Sequence, residues 1–118
     1  MHVLILDDNL MSASAVQSQL WTHGHTASIV ASAKHALDVL RREAPQAAIV
    51  NLAAHGFDPA EAIRALRTDA AHGRVRIVAF CGHTDQVRRA GAYEAGADLV
   101  ITNSQALKTL TDVLQTTT

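Results

Sequence analysis

Several features that would identify the chain at once are missing from it. It has one cysteine, Cys81, so no internal disulfide can form, in keeping with a reducing compartment. Charge of neither sign dominates: 10 basic against 11 acidic side chains leave a net charge of −1. No basic run marks a nucleic-acid or anionic-membrane surface. Long apolar runs are absent as well. The opening "MHVLILDDNL" is too short for a signal peptide or a spanning helix, and its apolar stretch ends in two acids. A cytoplasmic protein is the expectation. There are no repeats, low-complexity tracts or linkers, and no G-x-G-x-x-G follows an apolar run, so no dinucleotide-binding loop is present. Seven histidines occur, none of them spaced i, i+4 as a helical metal site requires. His23 and His25 flank Gly24 in a turn, and all seven read as surface residues.

What is present is an alternation. A chain of 118 residues fits one domain and can bury a core without staples or metals. Short runs rich in Val and Ile stand at 2–6, 26–31, 47–50, 76–80 and 98–101. Most are continuously apolar, as parallel strands buried on both faces must be. Helical patterns lie between them. Leu10 to Thr22 places Ala13, Val16 and Leu20 on one face. Ala33, Ala36, Leu37 and Leu40 define the second helix, with Ser32 as N-cap and Pro45 as its stop. Asp58 caps the third, with Pro59 in its first turn and Ala62, Ile63 and Leu66 facing inward. A fourth opens at Thr84 or Asp85 and ends before Gly96; a fifth opens near Ser104 and carries Leu107, Leu110 and Leu114. Five βα units with right-handed crossovers predict an open parallel sheet covered by helices on both faces. Ligands of such sheets bind at the carboxyl ends of the strands.

That edge gathers Asp7, Asp8 and Asn9 after the first strand, Asn51 and His55 after the third, Cys81, Gly82 and His83 after the fourth, and Thr102 and Asn103 after the fifth. With "GAD" at 96–98 before the last strand, this pattern resembles the receiver domain of two-component response regulators over essentially the whole of residues 1–118. The resemblance implies a flavodoxin-like doubly wound sheet of order 2-1-3-4-5. It also implies a site in which the acidic pair and a third aspartate hold Mg²⁺ while that aspartate accepts a phosphoryl group.

The chemical positions depart from that pattern. Asp7 and Asp8 match the acidic pair, but Asn51 stands at the phosphoacceptor, and a carboxamide is a very poor nucleophile. Cys81 replaces a hydroxyl residue and is a weak hydrogen-bond donor. Val100 replaces the aromatic switch residue, Asn103 the lysine, Ser104 the proline after it, and His55 the proline of the third loop. So many departures together indicate a natural, divergent receiver rather than one inactivating change. Charge agrees: two acids and two amides carry the same net charge as three acids and a lysine, so no unbalanced cluster remains. Asn51 and Asn103 are expected to hydrogen-bond to each other where the ion pair would have been.

Each candidate also has a plainer role. Asp7 and Asp8 are expected to bind Mg²⁺ weakly at most, or to favour the helix N-terminus beside them. Cys81, His55, His83 and the acids have ligand types that suit Zn²⁺ but match no known spacing; Cys81 also fits as a small apolar filler. His55 and Asp58 invite an acid–base reading, but Asp58 already serves as a cap. Arg88, Arg89, Tyr93 and Glu94 are either a solvated helix face or an interaction surface. The resemblance favours the latter, with homodimerisation or partner docking through helix four, strand five and helix five. Trp21 is expected to pack over the edge of the core. The principal expectation is a stand-alone, phosphorylation-independent interaction module without catalytic residues or a required cofactor. With no output domain in the chain, it would act through a protein partner. Two other classes stay open: a small-ligand or metal sensor reusing the acidic pocket, and a small enzyme of the same fold.

Overall fold

A computed structural model of the chain describes residues 1–82 and 85–108, with the side chains of Gln105, Leu107 and Lys108 outside the description. The expected helix start at Thr84 and the expected inward-facing Leu107, Leu110 and Leu114 therefore fall outside it, as does His83. The strands are β1 (His2–Leu6), β2 (Thr26–Val30), β3 (Ala47–Asn51), β4 (Arg76–Cys81) and β5 (Leu99–Thr102). The helices are α1 (Leu10–Thr22), α2 (Ala33–Glu43), α3 (Pro59–Arg67), α4 (Gln86–Ala95) and α5 (Asn103–Lys108). All strand pairs are parallel, in the order β2-β1-β3-β4-β5. This is the open parallel sheet that the alternation predicts, in the flavodoxin-like order that the resemblance implies.

The period of two along each strand divides the core between the faces of the sheet. Leu4, Leu6, Val50, Ile77, Ala79 and Cys81 pack with α2, α3 and α4. Val3, Ile5, Ile49, Val78, Phe80 and Ile101 pack with α1 and α5. Strand β2 is the exception to continuous burial: it lies at the edge of the sheet and is only partly covered. The caps follow the expected chemistry. Ser32 accepts from His35 N–H, and Asp58 accepts from Ala60 and Glu61 N–H. At α1 the cap is Asn9, which accepts from Met11 and Ser12, and not either acid.

The "GAD" motif has a structural explanation. Gly96 terminates α4 with φ 120°, a region that L side chains rarely adopt. A Cβ there would also lie 3.0 Å from Cγ of Arg67. The Arg67 guanidinium donates to the carbonyls of Gly73, Val75 and Gly96 and to Asp98 Oδ2. Asp98 Oδ2 also accepts from Ile77 N–H. One arginine thus joins α3, the loop before β4, and the α4–β5 turn at the end of the sheet remote from Asn51.

Two expectations require correction. Trp21 is 72% exposed and does not pack over the core. Its place near the C-terminus of α1 leaves the indole beside edge strand β2, where no element among the described residues covers it. His25 is buried, not a surface residue: its Nδ1 lies 2.8 Å from the Met1 amino nitrogen. Burial, then that ammonium group, then His23 lower its pKa from the usual 6.5. His2 is also engaged, contacting Glu43 at 2.6 Å and Thr26 at 2.6 Å across the start of the sheet.

Candidate functional site at the carboxyl edge

Asn51 ends β3 opposite Phe80 of β4, with its side chain on the α1/α5 face of the sheet. Its Nδ2 donates to Asp7 Oδ1 at 2.9 Å, and its Oδ1 accepts from Ala53 N–H at 2.9 Å. The expected amide–amide bond with Asn103 is thus replaced by an amide–carboxylate one. A carboxylate is the stronger acceptor, and Asp7 directly follows β1, the strand adjacent to β3. Asn103 stands across a shared cavity.

Both acids are held by protein donors. Asp7 is 2% exposed and accepts from Asn9 N–H, from the Ser12 hydroxyl and from Asn51. Asp8 Oδ2 accepts from His55 N–H at 2.9 Å and from Gly56 N–H. The Gly56 N–H holds the Asp8 carboxyl below its usual range, with burial opposing and His55 assisting. A Cβ at Gly56 would lie 3.1 Å from Asp8 Oδ2, so glycine lets the β3–α3 loop close on this acid. Ser12 and Gly56 were not singled out from sequence. Ser12 sits at the third helical position after Asn9, where a side chain turns back toward the cap, and that spacing is the only signal it gives.

These residues do not fit a resident Mg²⁺. One carboxylate of the usual set is an amide, and the oxygens of Asp7 are directed at protein N–H and O–H groups. A hard cation needs several such oxygens facing it. Among the described residues, no group of three or more His, Cys, Asp or Glu is placed to hold a metal ion. Cys81 lies with Ala79 and Val100 in the α2–α4 core, on the face opposite Asn51, and burial pushes its thiol pKa up. A raised pKa disfavours the reactive thiolate. Of the switch-equivalent positions, Cys81 and Val100 lie together in the core on that opposite face, and Asn103 alone of the three lines the cavity beside Asn51.

That cavity, of about 330 Å³, lies between α1 and the start of α5. Asn9, Ser12, Asn51 and Asn103 supply its polar lining, and Val16 and Phe80 are prominent on its apolar side. Leu10 at 73% and Met11 at 85% are exposed at the start of α1, and Val87 at 84% is exposed at the start of α4, in a separate groove beside Pro59 and Ala60 of α3. On α4, Arg88 pairs with Asp85 at 2.9 Å. The Tyr93 hydroxyl accepts from the buried Val100 N–H at 3.0 Å, which ties the ring to β5. Arg89 is half-buried, Glu94 is exposed, and neither has a described ion pair.

Five parallel strands, an acidic pair after the first, and a rim built at their carboxyl ends define a receiver-type signalling domain. The chain belongs to the response regulator receiver domain family, whose model matches residues 3–115. A search of curated proteins finds no match. Solved structures share the fold at low identity. A chemotaxis protein CheY4 from Vibrio cholerae has a TM-score of 0.88 at 19% identity, covering 99% of this chain and 98% of that one. The receiver domain of the sensor histidine kinase PA1611 from Pseudomonas aeruginosa, with a magnesium ion coordinated in its active-site cleft, has a TM-score of 0.86 at 22% identity, covering 98% and 94%. The receiver domain of NtrX from Brucella abortus has a TM-score of 0.82 at 20% identity, covering 98% and 99%. No helix among the described residues is long and apolar enough to cross a membrane.

Proposed function

We propose that this receiver domain works without aspartyl phosphorylation, as a protein-interaction module in cytoplasmic signal transduction. One observation carries the reading: the Asn51 amide stands at the end of β3 and donates to Asp7. The group at the acceptor position is thus a hydrogen-bonded carboxamide with no nucleophilic oxygen. The bonding of Asp7 and Asp8 to protein donors supports the same reading, because a site satisfied in this way requires no cofactor. We assign no catalytic residue.

Leu10 and Met11, adjacent exposed apolar side chains at the start of α1, support the interaction role. Homodimerisation through α4, β5 and α5 belongs to the same proposal, with Arg89 and Glu94 as its polar contacts.

The test is incubation of the protein with Mg²⁺ and acetyl phosphate, followed by intact mass measurement. The expected result is no phosphoryl adduct; a stable adduct on the wild-type chain overturns the reading. Sedimentation at increasing concentration tests the homodimer. A monomer throughout removes that element and leaves heterologous docking, which Leu10→Asp with Met11→Asp should abolish.

A further inference from the structure

We propose that the cavity between α1 and the start of α5 binds a small neutral ligand that presents a carboxamide- or lactam-type edge on an apolar body. The inference is independent of the docking reading. The cavity of about 330 Å³ falls at the small end of ordinary ligand sites. Its apolar lining comes from Ala15 and Val16 of α1, Ala53 after β3, Phe80 of β4 and Ala106 of α5, with Ala15 and Ala53 the exposed members. Its hydrogen-bonding surface is made of three side-chain amides and the Ser12 hydroxyl; the hydroxyl donates to Asp7, and the amides can accept a partner. The Asn9 cap uses only Oδ1, which leaves its NH₂ group outside the cap. The Asn51 NH₂ has two N–H groups, one of which goes to Asp7. Asn103 brings a third carboxamide from the exposed first turn of α5. An amide edge offers N–H and C=O side by side, and its best complement is another neutral edge of the same kind.

Charge disfavours the other classes. Among the described residues no lysine or arginine lines the cavity, and the charged group behind Asn51 is the Asp7 carboxylate. An anion would lose water beside a carboxylate and gain no cation in return. A cation would find Asp7 already accepting from Asn9, Ser12 and Asn51. A ligand seated here touches α1, β3 and α5 together, and α1 is the helix that carries Leu10 and Met11.

The test is an amide NMR titration of the full chain with nicotinamide. Nicotinate, which has the same ring with a carboxylate in place of the carboxamide, and inorganic phosphate are the comparators. Nicotinamide is expected to give saturable shifts at the side-chain amides of Asn9, Asn51 and Asn103. Nicotinate should bind at least about tenfold more weakly, because its charge is desolvated near Asp7, and phosphate should give no shift. Ala15→Leu, which extends a side chain from the exposed face of α1 into the cavity, should abolish the nicotinamide shifts and leave the unfolding midpoint unchanged. Asn103→Ala, at an exposed position, should weaken binding several-fold and serves if the leucine variant does not fold. Three results overturn the proposal: no saturable shift with nicotinamide, nicotinate binding as tightly as nicotinamide, or full binding in whichever variant is folded.

Discussion

Replacing Asn51 by aspartate tests the electrostatics of the site directly. The amide nitrogen lies 2.9 Å from Asp7 Oδ1, and Asp7 is 2% exposed. Asn51→Asp therefore brings two carboxylates to roughly 3 Å. At an effective dielectric near 20 their repulsion is about 5 kcal/mol. The variant can avoid it by binding a proton. Holding a carboxyl of ordinary pKa about 3.9 neutral at pH 7 spans about three pH units at about 1.4 kcal/mol each, or about 4 kcal/mol. The smaller figure governs, and the protonated group can still donate to Asp7. The variant should therefore be about 4 kcal/mol less stable than wild type at pH 7. Its folded-state pKa is raised, so the unfolded chain releases the proton first as pH rises. The deficit is thus largest at neutral pH and shrinks as pH falls toward 4. Urea unfolding at several pH values between 4 and 7 measures it. Millimolar Mg²⁺, by screening the new pair, should recover stability in the variant and not in wild type. A variant within about 1 kcal/mol of wild type at pH 7 without metal, or a deficit constant across the range, would refute the reasoning.

Three further outcomes follow from the geometry. Arg67→Met keeps the apolar stem but leaves the Gly73, Val75 and Gly96 carbonyls and Asp98 without their shared donor. It should cost roughly 2–4 kcal/mol, read as a shift in the urea midpoint at constant slope. Tyr93→Phe removes the acceptor of the buried Val100 N–H and should cost about 1 kcal/mol; the midpoint of thermal unfolding checks it. His25 has a lowered folded-state pKa, so the unfolded chain takes up its proton first as pH falls below 6.5. Wild-type stability should begin to fall there, before the carboxylates Asp8, Glu43 and Asp69, whose pKa values are also lowered, add a second loss on further acidification. His25→Gln should remove only the first phase.

The fold was legible because it rests on patterns that local sequence carries. Continuous Val/Ile runs, Ser32 and Asp58 as caps, and Pro45 and Pro59 at helix boundaries all act within a few residues of themselves. The site was legible in membership and less so in bonding. Asp7, Asp8, Asn51 and Asn103 could be assigned to one edge because strand ends define that edge. Which of them touch depends on side-chain parity across the sheet. Parity sends Asn51 and Phe80 to the α1/α5 face and Cys81 to the opposite one. A register count cannot show that Asp8 turns to the His55–Gly56 backbone, or that Asp7 takes the Asn51 amide in preference to leaving it for Asn103. Arg67 was invisible for the same reason: its partners lie 6 to 31 residues away along the chain and are mostly carbonyls, which every sequence supplies.

The hydrogen bonds at the carboxyl edge bear on how the domain is controlled. Four segments meet there: the end of β1, the start of α1, the end of β3 and the loop after β3. In a site that depends on a cation and a phosphoryl group, joining such segments is conditional, because the joining groups come and go. Here the chain supplies the joints itself. Asn51 ties β3 to Asp7, Ser12 ties α1 to the same carboxylate, and the His55 and Gly56 N–H groups tie the loop to Asp8. None of these donors titrates near neutral pH, and none depends on a bound ion. In the reading proposed above, a rim fixed in this way has no chemical step to change its shape, and control acts from outside, through a protein at Leu10 and Met11 or a small molecule beside Asn103. The Asn51→Asp variant keeps the first of these joints at neutral pH only by holding a proton there, so the rim should be looser than in wild type, and amide exchange at Ala53–Gly56 should accelerate before exchange in the strands does.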